Sequence, residues 1–394
     1  MTDIYADPER AAVELTQRMV RMNTVNPPGN EAACIDLLAE ILEAAGFAVT
    51  RHDFAPGRPN LIARLAGSGD RPPLCFAGHV DTVPPGTAPW RIDPFSGEIV
   101  EGRLHGRGSS DMKSGIAAMA MAAAASAERF RREGAGLTLV IVSAEESGCE
   151  GSFDLANHRE LLGPAGAMVV PEPTANFPMV GHKGAFWLTA RTRGVSAHGS
   201  MPERGDNAIY KIARAVSVLE TFDFAVPPHP HLGPPTLNVG IVSGGVAFNT
   251  VPDAAEIGID IRTVPELDSA ALRDRLAAAL GPDVELETRL NVPALWTDPD
   301  DPWVQSVFER VAPLLGFRPE VRTVTYFTDG AALREAFGDV PALICGPGEP
   351  GLAHQTDEYC EVARIAQAVG MYRAMMAAWC ETESGDSPKE RKPI

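Results

Sequence analysis

The chain has 394 residues, and 34 Lys and Arg against 52 Asp and Glu leave a formal net charge of −18. That acidity repels phosphate backbones, and with no long basic block it excludes nucleic-acid binding as a main role. The length suits two domains, and 37 Gly and 34 Pro with 6% aromatics point to a loop-rich α/β enzyme, not a helical bundle.

Residues 8–22 carry Leu15, Met19 and Met22 on one stripe and predict a helix, followed by a rigid loop at Asn26-Pro27-Pro28-Gly29. Cys34, Leu37, Leu38, Ile41, Leu42 and Ala45 repeat at helical spacing, with Gly46 placed to end that helix. Apolar runs follow at 47–51, 60–66 and 73–78, then an Ala-rich helix at 112–130 and strands at 136–143 and 165–170. Strands separated by helices predict an α/β layer architecture. From 184 the rhythm changes: strand 184–193, helix 206–220, strands 236–242 and 254–262, helix 267–280, strand 285–291. That β-α-β-β-α-β order is the ferredoxin-like split pattern. The reading therefore divides the chain into a catalytic domain (1–182 and 294–380), an inserted lid or dimerisation domain (183–293) and a disordered tail (381–394).

The Ala-rich run from Ile116 to Ala127 is too short and too weakly apolar for a bilayer, and acids stand where a secretory leader has its basic segment. Six scattered cysteines lack paired spacing and read as reduced thiols. These features predict a cytoplasmic protein with no membrane partner.

Five segments carry chemistry. His79 and Asp81, in Gly78-His79-Val80-Asp81-Thr82, lie on one face at the end of an apolar strand. Asp111 opens the Ala-rich helix, where it serves equally as a cap. Glu145-Glu146 follows a wholly apolar strand, and two like charges there repel unless a cation or a proton lies between them. Glu172 stands between Pro171 and Pro173 at another strand end, and His354 follows the Gly-rich stretch Gly346-Pro347-Gly348. Each alone has a structural explanation. Together, His79, Asp111, Glu146, Glu172 and His354 form an N/O donor set suited to zinc, with cobalt or manganese as alternatives. With Asp111 bridging, two divalent metal ions would each have three protein ligands and stand roughly 3.5–4 Å apart around one water. Glu145 is then the spare carboxylate for proton transfer.

These segments resemble the M20 family of metallopeptidases and deacylases. Gly78-His79-Val80-Asp81-Thr82-Val83-Pro84, Gly106-Arg107-Gly108 with Asp111-Met112-Lys113, Glu145-Glu146, Glu172-Pro173-Thr174 and His354 occur in the family's order across nearly the whole chain. The resemblance implies a zinc-exopeptidase-like catalytic domain with an inserted α+β lid. It implies one metal on His79, Asp111 and Glu172, and the other on Asp111, Glu146 and His354. Asp81 would support His79, Glu145 would act as general base and then proton donor, and the Asp111–Met112 peptide would be cis. In the lid it gives His198 the oxyanion, acting within its own chain or across a homodimer. Asn249 and Arg262 would contact the substrate, with Gly346 and Gly348 lining its side; a turn cap and a lid salt bridge are the structural alternatives for Asn249 and Arg262.

The expected activity is hydrolysis of the amide of a small N-acylated amino acid, acetylornithine-deacetylase-like. Succinyl-diaminopimelate desuccinylase, N-formyl deformylase and dipeptidase or carboxypeptidase are the alternatives within the family. A non-catalytic metal-binding or scaffold protein is the alternative of another class. Desuccinylation asks for a second cationic contact, which the sequence does not locate.

Overall fold

The computed structural model describes residues 6–381 and divides into two compact units. The first comprises the chain up to Val180 with Thr297–Arg322 and the segment from Thr328 onward; the second is Gly181–Trp296 with Thr323–Phe327. The last of these segments joins the second unit because Val324 donates its amide to the Gly181 carbonyl and bridges to His182. No pattern in the sequence marks that pairing. Of the tail expected over 381–394, Glu381 ends the last helix, and residues 382–394 lie outside the described residues.

The first unit is built on a six-stranded mixed sheet. Its order is Ala48–Ala55, Arg58–Leu65, Leu137–Val142, Leu74–His79, Ala167–Pro173, Ala342–Gly346. The first two strands form an antiparallel hairpin, and Arg58–Leu65 pairs antiparallel with Leu137–Val142. The remaining neighbours are parallel. These four parallel strands are buried at every position, which is why their sequences are continuous apolar runs without alternation. Parallel strands share one direction, so His79, the Glu145-Glu146 loop, Glu172 and Gly346 arrive at the same sheet edge.

The Ala-rich helix Lys113–Glu133 packs against this sheet, with Pro8–Val20 and Val362–Glu381 packed on it in turn. Ile116 to Ala123 are all within 1% of complete burial, so this helix is apolar all round because neighbours surround it. Gly115 lies against the Pro171 carbonyl, where a Cβ would collide with main chain. The helix start thus presses onto the strand that carries Glu172. All six cysteines are free, and five are buried.

The second unit has a four-stranded antiparallel sheet in the order Thr236–Gly244, Ala254–Thr263, Gly184–Arg193, Val284–Val292. Helices Ala208–Glu220 and Ser269–Leu280 cover it around Phe186, Leu188, Ile212, Leu219, Ile257, Ile259, Ile261, Leu272 and Leu276. The chain order is β-α-β-β-α-β, the ferredoxin-like pattern read from the alternation. Among the described residues, no helix is long and apolar enough to cross a membrane.

Candidate metal centre and active site

His79 ends its strand almost fully buried. Its Nδ1 lies 3.0 Å from the Asp81 carbonyl oxygen and 3.5 Å from Asp81 Oδ1. With Nδ1–H donating to Asp81, Nε2 keeps its lone pair, the tautomer a metal requires. Nε2 lies 3.3 Å from Asp111 Oδ1 and 3.6 Å from Glu172 Oε1. On the far side of Asp111, His354 Nε2 lies 3.4 Å from Asp111 Oδ2 and 3.0 Å from Glu146 Oε2. The result is two triads, His79–Asp111–Glu172 and Asp111–Glu146–His354, sharing one carboxylate. All five expected ligands converge.

The donor chemistry fits divalent cations. Asp111 Oδ1 is buried and has no hydrogen bond of proper geometry, although Nε2 of His79 faces it. A tetrahedral ion with bonds near 2.1 Å holds its ligand atoms about 3.4 Å apart, the spacing found here. Without a cation, burial raises the Glu146 and Glu172 carboxyls above their ordinary range, Glu172 strongly, with Asp111 adding repulsion. The Asp111 and Glu146 carboxylates raise His354 to about 10. Burial opposes the charged His79, yet the surrounding carboxylates hold it well above an ordinary imidazole. The cluster therefore binds protons in place of metal. A binuclear site for divalent cations is present.

Local backbone explains the aim of the two glutamates. Ala144 takes φ +65°, a left-handed turn directly after the apolar strand. Asp81 then fixes the next two residues: its Oδ1 accepts from the Glu145 amide at 3.1 Å and its Oδ2 from the Glu146 amide at 3.2 Å. Asn26 donates to the same carboxylate at 3.0 Å. Glu145 stands outside both triads, its Oε2 3.9 Å from His79 Nε2. It is 6% exposed, and burial lifts its carboxyl well above the usual range, although His79 pulls the other way.

The motif Gly106 to Lys113 is held from behind by a residue that the sequence reading did not single out. The buried Glu358 carboxylate accepts from the amides of Gly108, Ser110 and Asp111 at 3.1, 2.7 and 3.1 Å, and from the Arg107 guanidinium. Burial raises its carboxyl to about 7, with Arg107 opposing. Lys113 ties the same loop to the first helix, donating to the carbonyls of Met19 and Met22. The Asp111–Met112 peptide is cis. Asp329 is a second buried acid beside the cluster. Fully buried, it lies within electrostatic reach of His79, Glu145 and Glu172, and burial raises it to about 7.

Gly346 and Gly348 sit at the same sheet edge for a packing reason. A Cβ on Gly346 would meet the Pro171 carbonyl, and one on Gly348 the Ser110 carbonyl. The remaining candidates belong to the second unit. His198 is exposed; its Nδ1 accepts from the Ser200 amide at 3.2 Å, which leaves Nε2–H as an outward donor. Asn249 is exposed beside it, its carbonyl accepting from the Gly199 amide. Arg262 forks onto Asp260 at 3.1 and 3.2 Å, and Trp187 donates to the same carboxylate. Lys183 lies close enough to Arg262 that, after burial, Arg262 is what lowers its ammonium pKa.

The profile of peptidase family M20/M25/M40 matches residues 75–378. The chain belongs to this family. Among curated relatives, a succinyl-diaminopimelate desuccinylase of Methylorubrum extorquens is 31% identical over 94% of this chain and 99% of its own. That of Methylobacterium nodulans is 33% identical over 93% and 95%. Solved M20-fold structures include aminopeptidase PepT of Bacillus cereus, with TM-score 0.76 and 22% identity over 95% of this chain and 99% of that one. The metallo-carboxypeptidase Sso-CP2 of Sulfolobus solfataricus has TM-score 0.78 and 17% identity over 94% and 99%. The M20 fold and the paired triads make this chain a metal-dependent amidohydrolase.

Proposed function

We propose that this M20 enzyme removes a succinyl group from the amine of an N-succinylated amino acid of the diaminopimelate type. The observation that carries amide hydrolysis is the shared Asp111 between two triads, with the unligated Glu145 beside them. The acyl group is supported by the curated relatives, which are succinyl-diaminopimelate desuccinylases at 30–33% identity over more than nine-tenths of this chain. This replaces the acetylornithine preference of the sequence reading. The second cation that desuccinylation asks for has a candidate in Lys183, whose ammonium donates to the Pro234 carbonyl and lies within electrostatic reach of Arg262. A fork such as Arg262 suits a carboxylate, with Asp260 as its partner until a ligand arrives.

When bound, two divalent cations, zinc in this proposal, would polarise the acyl carbonyl and acidify water. His79, Asp111 and Glu172 would hold one, and Asp111, Glu146 and His354 the other. Glu145 takes the proton from the attacking water and returns it to the departing amine, so the amide ends as carboxylate and amine. Its buried position and raised carboxyl suit a group that must carry that proton between steps. Asp81 orients His79 and both glutamates, and Glu358 orients Asp111. His198 is assigned to the oxyanion through its Nε2–H, and Asn249 to the substrate's polar groups. Gly346 and Gly348 let main chain approach the substrate side.

The exposed Ile241, Val242, Val246 and Phe248 lie on or beside the edge strand Thr236–Gly244. Such an edge supports a homodimer through a second copy's equivalent strand. The free thiols support a reducing compartment, the cytoplasm.

The test is amine release from a panel of N-succinyl, N-acetyl and N-formyl amino acids and dipeptides, with zinc, cobalt or manganese. Highest kcat/KM on N-succinyl-diaminopimelate is expected. A higher value on N-acetylornithine overturns the acyl assignment but leaves amide hydrolysis standing.

A further inference from the structure

Asn26 lies between the helices Pro8–Val20 and Ala32–Ala44, in a stretch that the sequence marks only as a rigid loop. The fold gives that stretch a pairing partner. Residues 24–26 run beside residues 80–82, with a parallel bridge between Val25 and Thr82. The Thr82 amide donates to the Thr24 carbonyl at 3.1 Å, and the Asn26 amide donates to the Thr82 carbonyl at 2.9 Å. The Thr24 hydroxyl adds a bond to the Val80 carbonyl at 2.6 Å. Main chain thus fixes Asn26 against the segment that carries Asp81, and Asn26 is 6% exposed.

Its carboxamide reaches two groups at once. Nδ2 donates to Asp81 Oδ2 at 3.0 Å and to Ser147 Oγ at 3.1 Å. The Ser147 hydroxyl in turn donates to the Ala144 carbonyl at 3.4 Å, closing the turn that holds Glu145 and Glu146. Asp81 receives the amides of both glutamates and faces His79 Nδ1. Asn26 therefore joins the carboxylate that orients the site to the turn that carries its two glutamates. It does so from 121 residues before Ser147 in the chain. A carboxylate only accepts hydrogen bonds, so the group facing Asp81 must be a donor. Aspartate has the shape of asparagine but would set a second anion 3.0 Å from the first.

We propose that Asn26 is a positioning residue for amide hydrolysis: by gripping Asp81 and Ser147 together, it fixes where the Glu145 carboxyl stands beside the paired triads. Asp81 must keep its plane so that one oxygen meets the Glu145 amide and the other the Glu146 amide. His79, Glu145 and Glu146 are the residues Asp81 orients, so they can shift along with it. Asn26 comes from outside that group and holds the frame still. The inference rests on the reading that Glu145 carries the proton; it does not depend on which acyl group is removed.

The experiment measures kcat, KM and bound zinc for Asn26→Ala, Asn26→Asp and Ser147→Ala, with Glu145→Ala in the same assay. At saturating zinc, Asn26→Ala should lower kcat by roughly ten-fold, the worth of a hydrogen bond to a charged group. Two zinc equivalents should stay bound and KM should change little. Asn26→Asp should lose more than Asn26→Ala although it keeps the shape, because it trades a donor for a charge of the same sign as Asp81. A residue that only fills space gives the reverse order, so an equal or smaller loss in Asn26→Asp overturns the proposal. So does a wild-type kcat in either folded variant, or a loss that appears as shed zinc or raised KM with kcat kept. Ser147→Ala removes one hydroxyl at an exposed position and carries the test if the Asn26 variants do not fold. A smaller fall in kcat is expected there, and an unchanged kcat overturns the proposal. Glu145→Ala separates the two readings. If it keeps turnover, the proton-transfer assignment fails and takes this inference with it; if it alone is inactive, only the role of Asn26 fails.

Discussion

The two units treat their polar groups in opposite ways. In the first, His79, Asp81, Glu145, Glu172, Asp329 and Glu358 are nearly or wholly buried. Several carboxylates face one another there, and without a cation the cluster favours protons in its place. In the second, His198 and Asn249 are exposed and Arg262 already has Asp260. Burying a charge is costly unless it is paired, and that cost is tolerated where chemistry needs preorganised ligands. An exposed residue gains affinity only when a ligand arrives. Changes in the first unit should therefore abolish activity or metal binding, and changes in the second should alter selectivity.

The largest expected effect is at Glu145. Glu145→Ala should lower kcat by roughly 10³-fold or more with two metals still bound. Metal analysis alongside turnover checks this; near-normal turnover would show that another group carries the proton. Next is the support behind Asp111. Glu358→Ala leaves three amides and Arg107 without their acceptor, and should weaken metal binding by about 10–100-fold, the range for such supporting residues. Glu358→Gln keeps one acceptor oxygen and should recover part of that loss, as measured by chelator competition.

Metal occupancy should also follow pH in a defined direction. Without cations, Glu146 and Glu172 are raised and His354 lies near 10, so the empty site holds protons at neutral pH. Cation binding expels them. Affinity should rise with pH and fall on acidification, with proton release on metal addition visible in weakly buffered solution. Chelation should lower the melting temperature, since a ligand at a hundred times its Kd contributes about 2.7 kcal/mol. A pH-independent affinity would contradict the protonated picture of the empty site.

The smallest effect belongs to the second unit. Arg262→Ala should raise KM for a succinylated substrate by roughly ten-fold, the worth of one charge-assisted contact, and change metal content not at all. Its effect on an acetylated substrate should be smaller, because that acyl group has no distal carboxylate. Equal losses on both would assign Arg262 to the amino-acid carboxylate instead, and would narrow the contrast between the units.

Four of the five ligands were legible in order because each lies at or just past the end of an apolar strand or before a helix start; His354 lies in a turn, and its place in the motif order marked it. The inserted α+β domain was legible because its half-buried strands alternate: along Ala254–Thr263 every second residue is buried and those between are more open. Not every element carried such a mark. Glu358 lies 251 residues from Arg107 in sequence, and nothing near it announces that it caps a loop so distant.

Sequence alone determined the fold class, the alternation of the inserted domain and the donor set, because periodicity and residue type are local properties of the chain. Tertiary structure decided how closely those donors converge and which carboxylate, Glu358, anchors Asp111. Those outcomes depend on distances of a few ångströms between residues far apart in the chain, and only the parallel arrangement of the central strands brings them to one edge.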